Sequence, residues 1–143
     1  MSSVRSFEDL KVWQKGCQLY KEIFEITKRP EFNQDFDLRR QLRKSAGSIP
    51  DNIAEGYERE GNREYRQFLS ISKGSAGELR SQIHRAYIVE FVSTIEMKDL
   101  KAKAEEVSRM LKCLMNYISN SEIKGSKFME PEPNYGQRES FKP

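Results

Sequence analysis

The sequence predicts an all-α protein, built as an antiparallel up-down-up-down four-helix bundle. Charged residues make up 33% of the 143 residues and apolar residues 36%, with only 8 glycines. This composition suits amphipathic helices better than β-strands. Apolar residues recur at steps of three and four through four long segments, and short polar stretches separate the segments. Long amphipathic helices joined by short loops pack against their neighbours along the chain, which gives the predicted bundle.

The length indicates one domain rather than two. We expect the bundle to occupy residues 1–119 and residues 120–143 to form a flexible C-terminal tail. The tail carries three prolines and two glycines but no periodic apolar face, which is typical of segments that do not pack.

The two cysteines, Cys17 and Cys113, lie in helical patterns far apart in the sequence. Free cysteines in such patterns usually behave as small buried apolar residues, and a disulfide framework is not expected. The sequence shows no apolar signal segment at its start and no apolar run long enough to cross a bilayer. We therefore expect a cytoplasmic protein without a membrane partner.

The first helix is predicted from Phe7 to Lys28, after a capping box formed by Ser6 and Asp9. One heptad-spaced apolar line is expected to face the core: Leu10, Trp13, Cys17, Tyr20 and Phe24. A second line follows about 120° around the helix: Val12, Leu19, Ile23 and Ile26. Two explanations of the second line stay open, burial by the other helices of the chain and a subunit interface.

The second helix is predicted to begin near Asp37, a good N-cap residue, and to stop at Gly56. Its apolar face consists of Leu38, Leu42, Ser45, Ala46, Ile49 and Ile53. Its opposite face carries four cations, Arg39, Arg40, Arg43 and Lys44. A solvated helix face carries such residues routinely, and this is how we interpret them.

An unusual run inside this helix contains Pro50, Asn52, Glu55 and Gly56. Pro50 falls outside the apolar face on a helical wheel, so its ring need not enter the core while its missing N–H bends the helix. The side chains of Asn52 and Glu55 flank the apolar face, where they are placed to satisfy either the carbonyl freed near Ala46 or a group of a neighbouring helix. We interpret the run as a structural bend rather than an active site.

The third helix is predicted from Arg63 to Phe91. Its inward face consists of Tyr65, Phe68, Ser72, Ser75, Ala76, Leu79, Ile83 and Ala86, with Gly74 and Gly77 nearby. The small residues in the middle predict a close helix crossing. A cap at Ser93–Glu96 precedes a fourth helix from Met97 to Ser119. Its inward residues are Leu100, Ala104, Val107, Leu111, Leu114 and Ile118.

Basic residues follow the flank of the third helix at steps of four, three, seven, seven and four: Arg59, Arg63, Arg66, Lys73, Arg80 and His84. The net charge is only +3, so attraction to nucleic acid depends on such local clustering. An extended row of cations can track phosphates with salt-dependent affinity. The alternative is an ordinary solvated helix face.

The sequence offers little to an enzyme. Its only histidine is His84, and it contains no metal-ligand spacing, phosphate-binding glycine loop or nucleophile elbow. Glu55 and Glu78 lie near the predicted core faces, where the alternatives are a pair of carboxylates and hydrogen bonding within the bundle, and we favour the second. We expect no enzymatic activity, no cofactor and no metal.

Three motifs resemble a known family, the bacterial four-helix bundle proteins first noticed as reading frames within intervening sequences of large-subunit rRNA genes. The first runs over residues 7–15 as F-E-D-L-K-V-W-Q-K, and the second over residues 48–56 as S-I-P-D-N-I-A-E-G. The third follows F-L-x-I-x-x-G-S-x-x-E-L over residues 68–79. The chain departs from the family at Asp37 and Glu90, where a glycine is frequent.

The resemblance implies a homo-oligomeric ring and a role with nucleic acid, either RNA or DNA. Proteins of this fold are similar to the accessory variability determinant of diversity-generating retroelements, a homopentamer that binds nucleic acid and a reverse transcriptase. That relative lacks the three motifs, so its partner and reaction are not carried over. A pentameric ring would account for the wide apolar arc of the first helix. The alternative function is an oligomeric adaptor that binds another protein.

Overall fold

The computed structural model describes residues 2–120 and 129–131, and it confirms the all-α four-helix bundle. Four long helices follow one another along the chain: α1 (Lys11–Ile26), α2 (Phe36–Glu58), α3 (Asn62–Ile88) and α4 (Thr94–Ser119). Short 3₁₀ helices at Phe7–Asp9 and Pro30–Gln34 precede α1 and α2. Each helix packs on the next, and α1 also packs on α4, which closes the bundle.

The inward faces predicted for α2 and α4 are all buried, because each of these helices has a single apolar stripe. On α3 the prediction is confirmed except at Phe68, which is half-buried while its neighbour Leu69 is fully buried. The predicted close crossing involves Ser72 and Ser75. The Ser72 hydroxyl donates to the Ile49 carbonyl at 2.8 Å, and the Ser75 and Ser48 hydroxyls lie 2.8 Å apart.

The face predicted for α1 is wrong beyond Leu10. The line that contacts the core is the second one, with Val12, Leu19 and Ile23 buried. Its burial is provided by the chain's own helices, and the buried residue between Val12 and Leu19 on this face is Gly16. A Cβ at Gly16 would lie 3.3 Å from Ile49 Cγ2, so the glycine lets α2 approach closely.

The line predicted to face the core instead lies at the surface between α1 and α2. Trp13, Cys17 and Phe24 are half-buried and Tyr20 is exposed. An open groove of about 770 Å³, which we call the α1–α2 groove, is bordered by Trp13, Cys17 and Tyr20. The α2 residues Gly47 and Pro50 line the same groove. Within residues 2–120 and 129–131, the wide apolar arc of α1 therefore leaves aromatic surface uncovered.

Helix α2 starts earlier than predicted. Asp35, not Asp37, is the N-cap, and its carboxylate accepts from the Leu38 N–H at 2.9 Å. Asp37 lies in the first turn and pairs with Arg40. The predicted cap of α4 is confirmed, since Ser93 and Glu96 form a reciprocal capping box.

The residues around Pro50 differ from their prediction in three ways. The proline is buried against α1, because the glycine at position 16 leaves room for its ring. The Asn52 amide donates to the carbonyl and the hydroxyl of Ser48, both at 2.8 Å, and not to the Ala46 carbonyl. Glu55 points outward and pairs with Arg59 at 2.9 Å.

Gly56 does not end α2, which continues to Glu58. It is buried where α2 and α3 come close together, and a Cβ there would lie 2.7 Å from Phe68 Cβ and 3.1 Å from the Tyr65 carbonyl oxygen. The turn is made instead by Gly61, whose φ of +90° favours glycine. The sequence motif therefore marks a helix contact rather than a helix stop.

Glu90 ends α3 in a conformation that normally belongs to glycine. Its φ is +65°, and the hydrogen bonds from Glu90 N to Tyr87 O and from Phe91 N to Ala86 O form a Schellman motif. The Glu90 side chain is therefore carried by a residue in the left-handed conformation, which costs free energy.

Replacing Glu90 with Gly is expected to stabilise the protein by about 1 kcal/mol, because glycine adopts this φ without a steric penalty. Urea unfolding followed by circular dichroism measures the change. Glu90→Ala is the matched control, since it removes the carboxylate and keeps the Cβ. Equal stability of the Gly and Ala variants would contradict the backbone explanation.

A short segment of the C-terminal region is part of the folded unit. Strand β2 (Met129–Glu130) pairs antiparallel with β1 (Ser2–Ser3), with Ser2 opposite Glu130. The Glu130 carboxylate accepts from the backbone N–H groups of Lys11 at 2.7 Å and Val12 at 3.2 Å. The expected flexible tail falls otherwise on residues 121–128 and 132–143, which lie outside the described residues.

Candidate nucleic-acid interface

The last four members of the predicted basic row lie along the seam between α3 and α4. Arg66, Lys73, Arg80 and His84 are all half-buried there. Their spacing of seven, seven and four residues keeps them on one side of the helix. Because these side chains reach toward α4, their surroundings depend on which α4 residues the antiparallel packing places opposite them.

Three of these side chains contact α4 directly. The Arg66 Nε donates to the Ser119 hydroxyl at 2.6 Å, near the end of α4. The Arg80 guanidinium lies 3.4 Å from a Glu105 carboxylate oxygen. The Lys101 ammonium donates to His84 Nδ1 at 3.1 Å. The contacts run in opposite directions along the two sequences, as antiparallel helices require.

Arg59 and Arg63 lie apart from this seam. Arg59 follows α2 and pairs with Glu55 at 2.9 Å and with Glu64 at 3.5 Å. Its hydrogen bond to Glu55 raises the pKa of the guanidinium, and its charge is balanced by the two carboxylates. Arg63 is exposed in the first turn of α3. The structure therefore divides the predicted row into a turn segment and a seam segment.

Sequence reasoning missed the cations that α4 brings to the seam. Lys101 faces His84, and a shallow groove of about 280 Å³ lies between the two helices further along. Six residues line this groove, which we call the α3–α4 groove: Lys73, Arg80, Glu105, Ser108, Arg109 and Lys112. The α4 cations are scattered among other charges, and no single-helix pattern identifies them.

Two arginines of the second basic cluster, on α2, contact residues at the end of α1. The Arg39 Nε donates to the Thr27 carbonyl at 2.8 Å, and the Arg43 Nε donates to the Thr27 hydroxyl at 2.8 Å. Arg43 also lies over the Phe24 ring at 4.1 Å. These arginines fasten α2 to the end of α1, while Arg40 and Lys44 are exposed.

Metal-binding and membrane-spanning features are absent from residues 2–120 and 129–131. In this part of the chain, no three His, Cys, Asp or Glu side chains come together as a metal site would need. None of its helices combines the length and the apolar character needed to span a membrane.

Comparisons with known proteins agree with the fold. Residues 8–113 match the family model described as 23S rRNA-intervening sequence protein. No curated protein shows a significant match. The fold resembles a crystal structure at 1.70 Å resolution of a protein with unknown function from the S23 ribosomal protein family of Bacteroides thetaiotaomicron. The TM-score is 0.67 at 17% identity, over 73% of this chain and 97% of that one.

Proposed function

The chain belongs to the 23S rRNA-intervening sequence protein family, and from this premise we propose that it is a non-catalytic homo-oligomer, with five subunits favoured, that binds structured RNA. The observation that carries the proposal is the row of Arg66, Lys73 and Arg80 along the α3–α4 seam, joined by cations of α4. An extended cationic row binds the phosphate backbone without reading base sequence. The proposal places the protein in the cytoplasm.

The homo-oligomeric part rests on the α1–α2 groove. Trp13, Cys17 and Tyr20 present partly exposed apolar surface along one line of α1, and 38% of Tyr20 is exposed. Apolar surface of this kind commonly marks an interface. A second copy of the chain would cover it, and a closed ring requires each subunit to offer two different surfaces.

Fluorescence anisotropy with a labelled RNA hairpin tests the binding. We expect affinity at low salt that falls steeply as salt increases, because binding releases counterions from the phosphates. A DNA hairpin of the same sequence compares the two nucleic acids. The absence of binding to either hairpin at low salt would refute the proposal.

Light scattering with and without the RNA hairpin tests the assembly. We expect a particle of several times the 16.8 kDa chain mass, with a pentamer giving five times that mass. Tyr20→Glu should reduce the particle to smaller species, because it places a charge on the groove. Ile71→Glu is the matched control, since Ile71 is 52% exposed on a different helix. A monomeric wild-type protein would refute the oligomer.

A second candidate function is an oligomeric adaptor for another protein. It is favoured by the exposed apolar residues around the α3–α4 turn, where Ile88 is 64% exposed and Ile95 is 81% exposed. Replacing the seam cations with Glu separates the two functions. An adaptor would still capture its partner after this change, whereas an RNA-binding protein would lose its RNA.

A further inference from the structure

We infer that the α3–α4 groove is a phosphate-binding site for an RNA backbone, built by both helices. The inference rests on the proposed function and specifies where one phosphate group is held. Lys73 and Arg80 come from α3, and Arg109 and Lys112 come from α4. The predicted α3 row supplies only half of this site.

More cations than carboxylates line the groove. Its six lining residues include four cations, and Glu105 is the one carboxylate among them. The Ser108 hydroxyl adds a neutral donor at the same place. Cations and a hydroxyl converging on one groove are the groups that contact phosphate oxygens in protein complexes with nucleic acid.

Arg80 has a guanidinium N–H group that makes no hydrogen bond to the described residues. Its guanidinium meets Glu105 at 3.4 Å, which is long for a charge-assisted hydrogen bond. Its Nε is buried, and no atom of the described residues accepts a hydrogen bond from it. Turning the guanidinium from Glu105 toward the groove would give Nε and an Nη group a phosphate to bind in the paired geometry that arginine favours.

Glu105 then has a definite role as a competitor. It holds Arg80 in the absence of phosphate and must release it when phosphate binds. Removing the Glu105 charge therefore favours the bound arrangement, whereas removing a groove cation opposes it. A larger gain in affinity from removing the Glu105 charge than from removing a remote carboxylate distinguishes competition for Arg80 from a general effect of charge.

The first test removes two groove cations with Lys73→Gln and Lys112→Gln together. RNA hairpin affinity should fall about tenfold or more, and the log–log salt slope should decrease by about 1 for each phosphate that is no longer neutralised. The matched control, Arg40→Gln with Lys98→Gln, removes the same charge from exposed positions outside the α1–α2 and α3–α4 grooves. An equal decrease in affinity for both double variants would overturn the proposed phosphate site. RNA binding would then depend on the net charge of the protein alone.

The second test uses Glu105→Gln, which should raise RNA affinity about two- to fivefold, the range expected from an exposed ion pair. Glu31→Gln removes one negative charge from an exposed position outside the groove and should have a smaller effect. Lower or unchanged affinity in Glu105→Gln would overturn the competition. Thermal melts by circular dichroism confirm that each variant is folded.

Calorimetry with inorganic phosphate distinguishes a backbone from a free anion. If the groove binds the RNA backbone, the wild-type protein should bind inorganic phosphate weakly. The groove variants should bind RNA with lower affinity. Tight binding of inorganic phosphate, with RNA affinity unchanged in those variants, would assign the groove to a free anion and overturn the inference. If the wild-type protein binds no RNA at all, the proposed function itself fails.

Discussion

Replacing Gly56 with Ala is expected to destabilise the bundle by about 1–3 kcal/mol, the usual cost of overpacking a close contact. The added methyl group would lie 2.7 Å from Phe68 Cβ, 3.1 Å from the Tyr65 carbonyl oxygen and 3.2 Å from the Tyr65 ring. The first two atoms belong to the backbone or are fixed to it. The ends of α2 and α3 must therefore separate to make room.

The expected loss of stability is opposite in sign to the effect of helix propensity, which favours Ala over Gly. In an exposed helix, Ala is favoured over Gly by about 1 kcal/mol, so an observed loss of stability at Gly56 shows that the helix contact outweighs the backbone preference. Gly74→Ala and Gly77→Ala are the controls on α3, because an added Cβ meets no atom of the described residues within 4 Å at either position. We expect both to be stabilising.

Urea unfolding of the three variants gives the comparison directly. The free energy of unfolding should fall for Gly56→Ala and rise slightly for the two controls. A Gly56→Ala protein as stable as the controls would mean that the two helices shift at little cost, and the close approach would then have no structural importance.

The burial of α2, α3 and α4 could be predicted because each helix has one apolar stripe. A helix with a single stripe can satisfy it in only one orientation. For α1 the sequence offered two apolar lines of similar length, and heptad spacing favoured the one through Trp13 and Tyr20. The structure buries the other, because Gly16 allows the backbones of α1 and α2 to approach at Ile49. Close packing at a glycine depends on the partner helix, which one helix's periodicity cannot show.

The α3 half of the candidate site could be predicted from the sequence, and the α4 half could not. The cations of α3 share one helix face, so their spacing alone brings Lys73 and Arg80 to one side. Their neighbours Arg109 and Lys112 belong to another helix, and their approach depends on how far α4 slides along α3. The position of Glu105 opposite Arg80 also could not be predicted from the sequence of one helix. A site shared by two helices needs their relative alignment as well as their sequences.

The contact of Glu130 with α1 joins residues that are far apart in the sequence. Leu10 precedes α1 and has no side chain that could cap it, so the first N–H groups of the helix need another acceptor. The Glu130 carboxylate, only 5% exposed, accepts from two of them and meets the positive end of the helix dipole. Burial raises the pKa of Tyr65, and the charge of Glu130 raises it further. These groups form one end of the bundle.

Replacing Glu130 with Ala is expected to destabilise the protein by about 2 kcal/mol, the upper range for the loss of a helix cap. Two buried or half-buried N–H groups would lose their acceptor, and the helix end would lose a facing charge. Glu25→Ala is the matched control, because Glu25 is exposed and its partner Lys28 lies one turn away. An exposed pair of that kind contributes less than about 1 kcal/mol.

Amide hydrogen exchange locates the effect on the chain. The amides of Lys11 and Val12 lie in the first turn of α1, where no earlier carbonyl of the helix can accept from them. Their protection in the wild-type protein should therefore depend on Glu130, and Glu130→Ala should accelerate their exchange more than that of Leu19 or Ile23. If unfolding and exchange are both unchanged in this variant, Glu130 does not cap α1, and the acceptor for these N–H groups must be water.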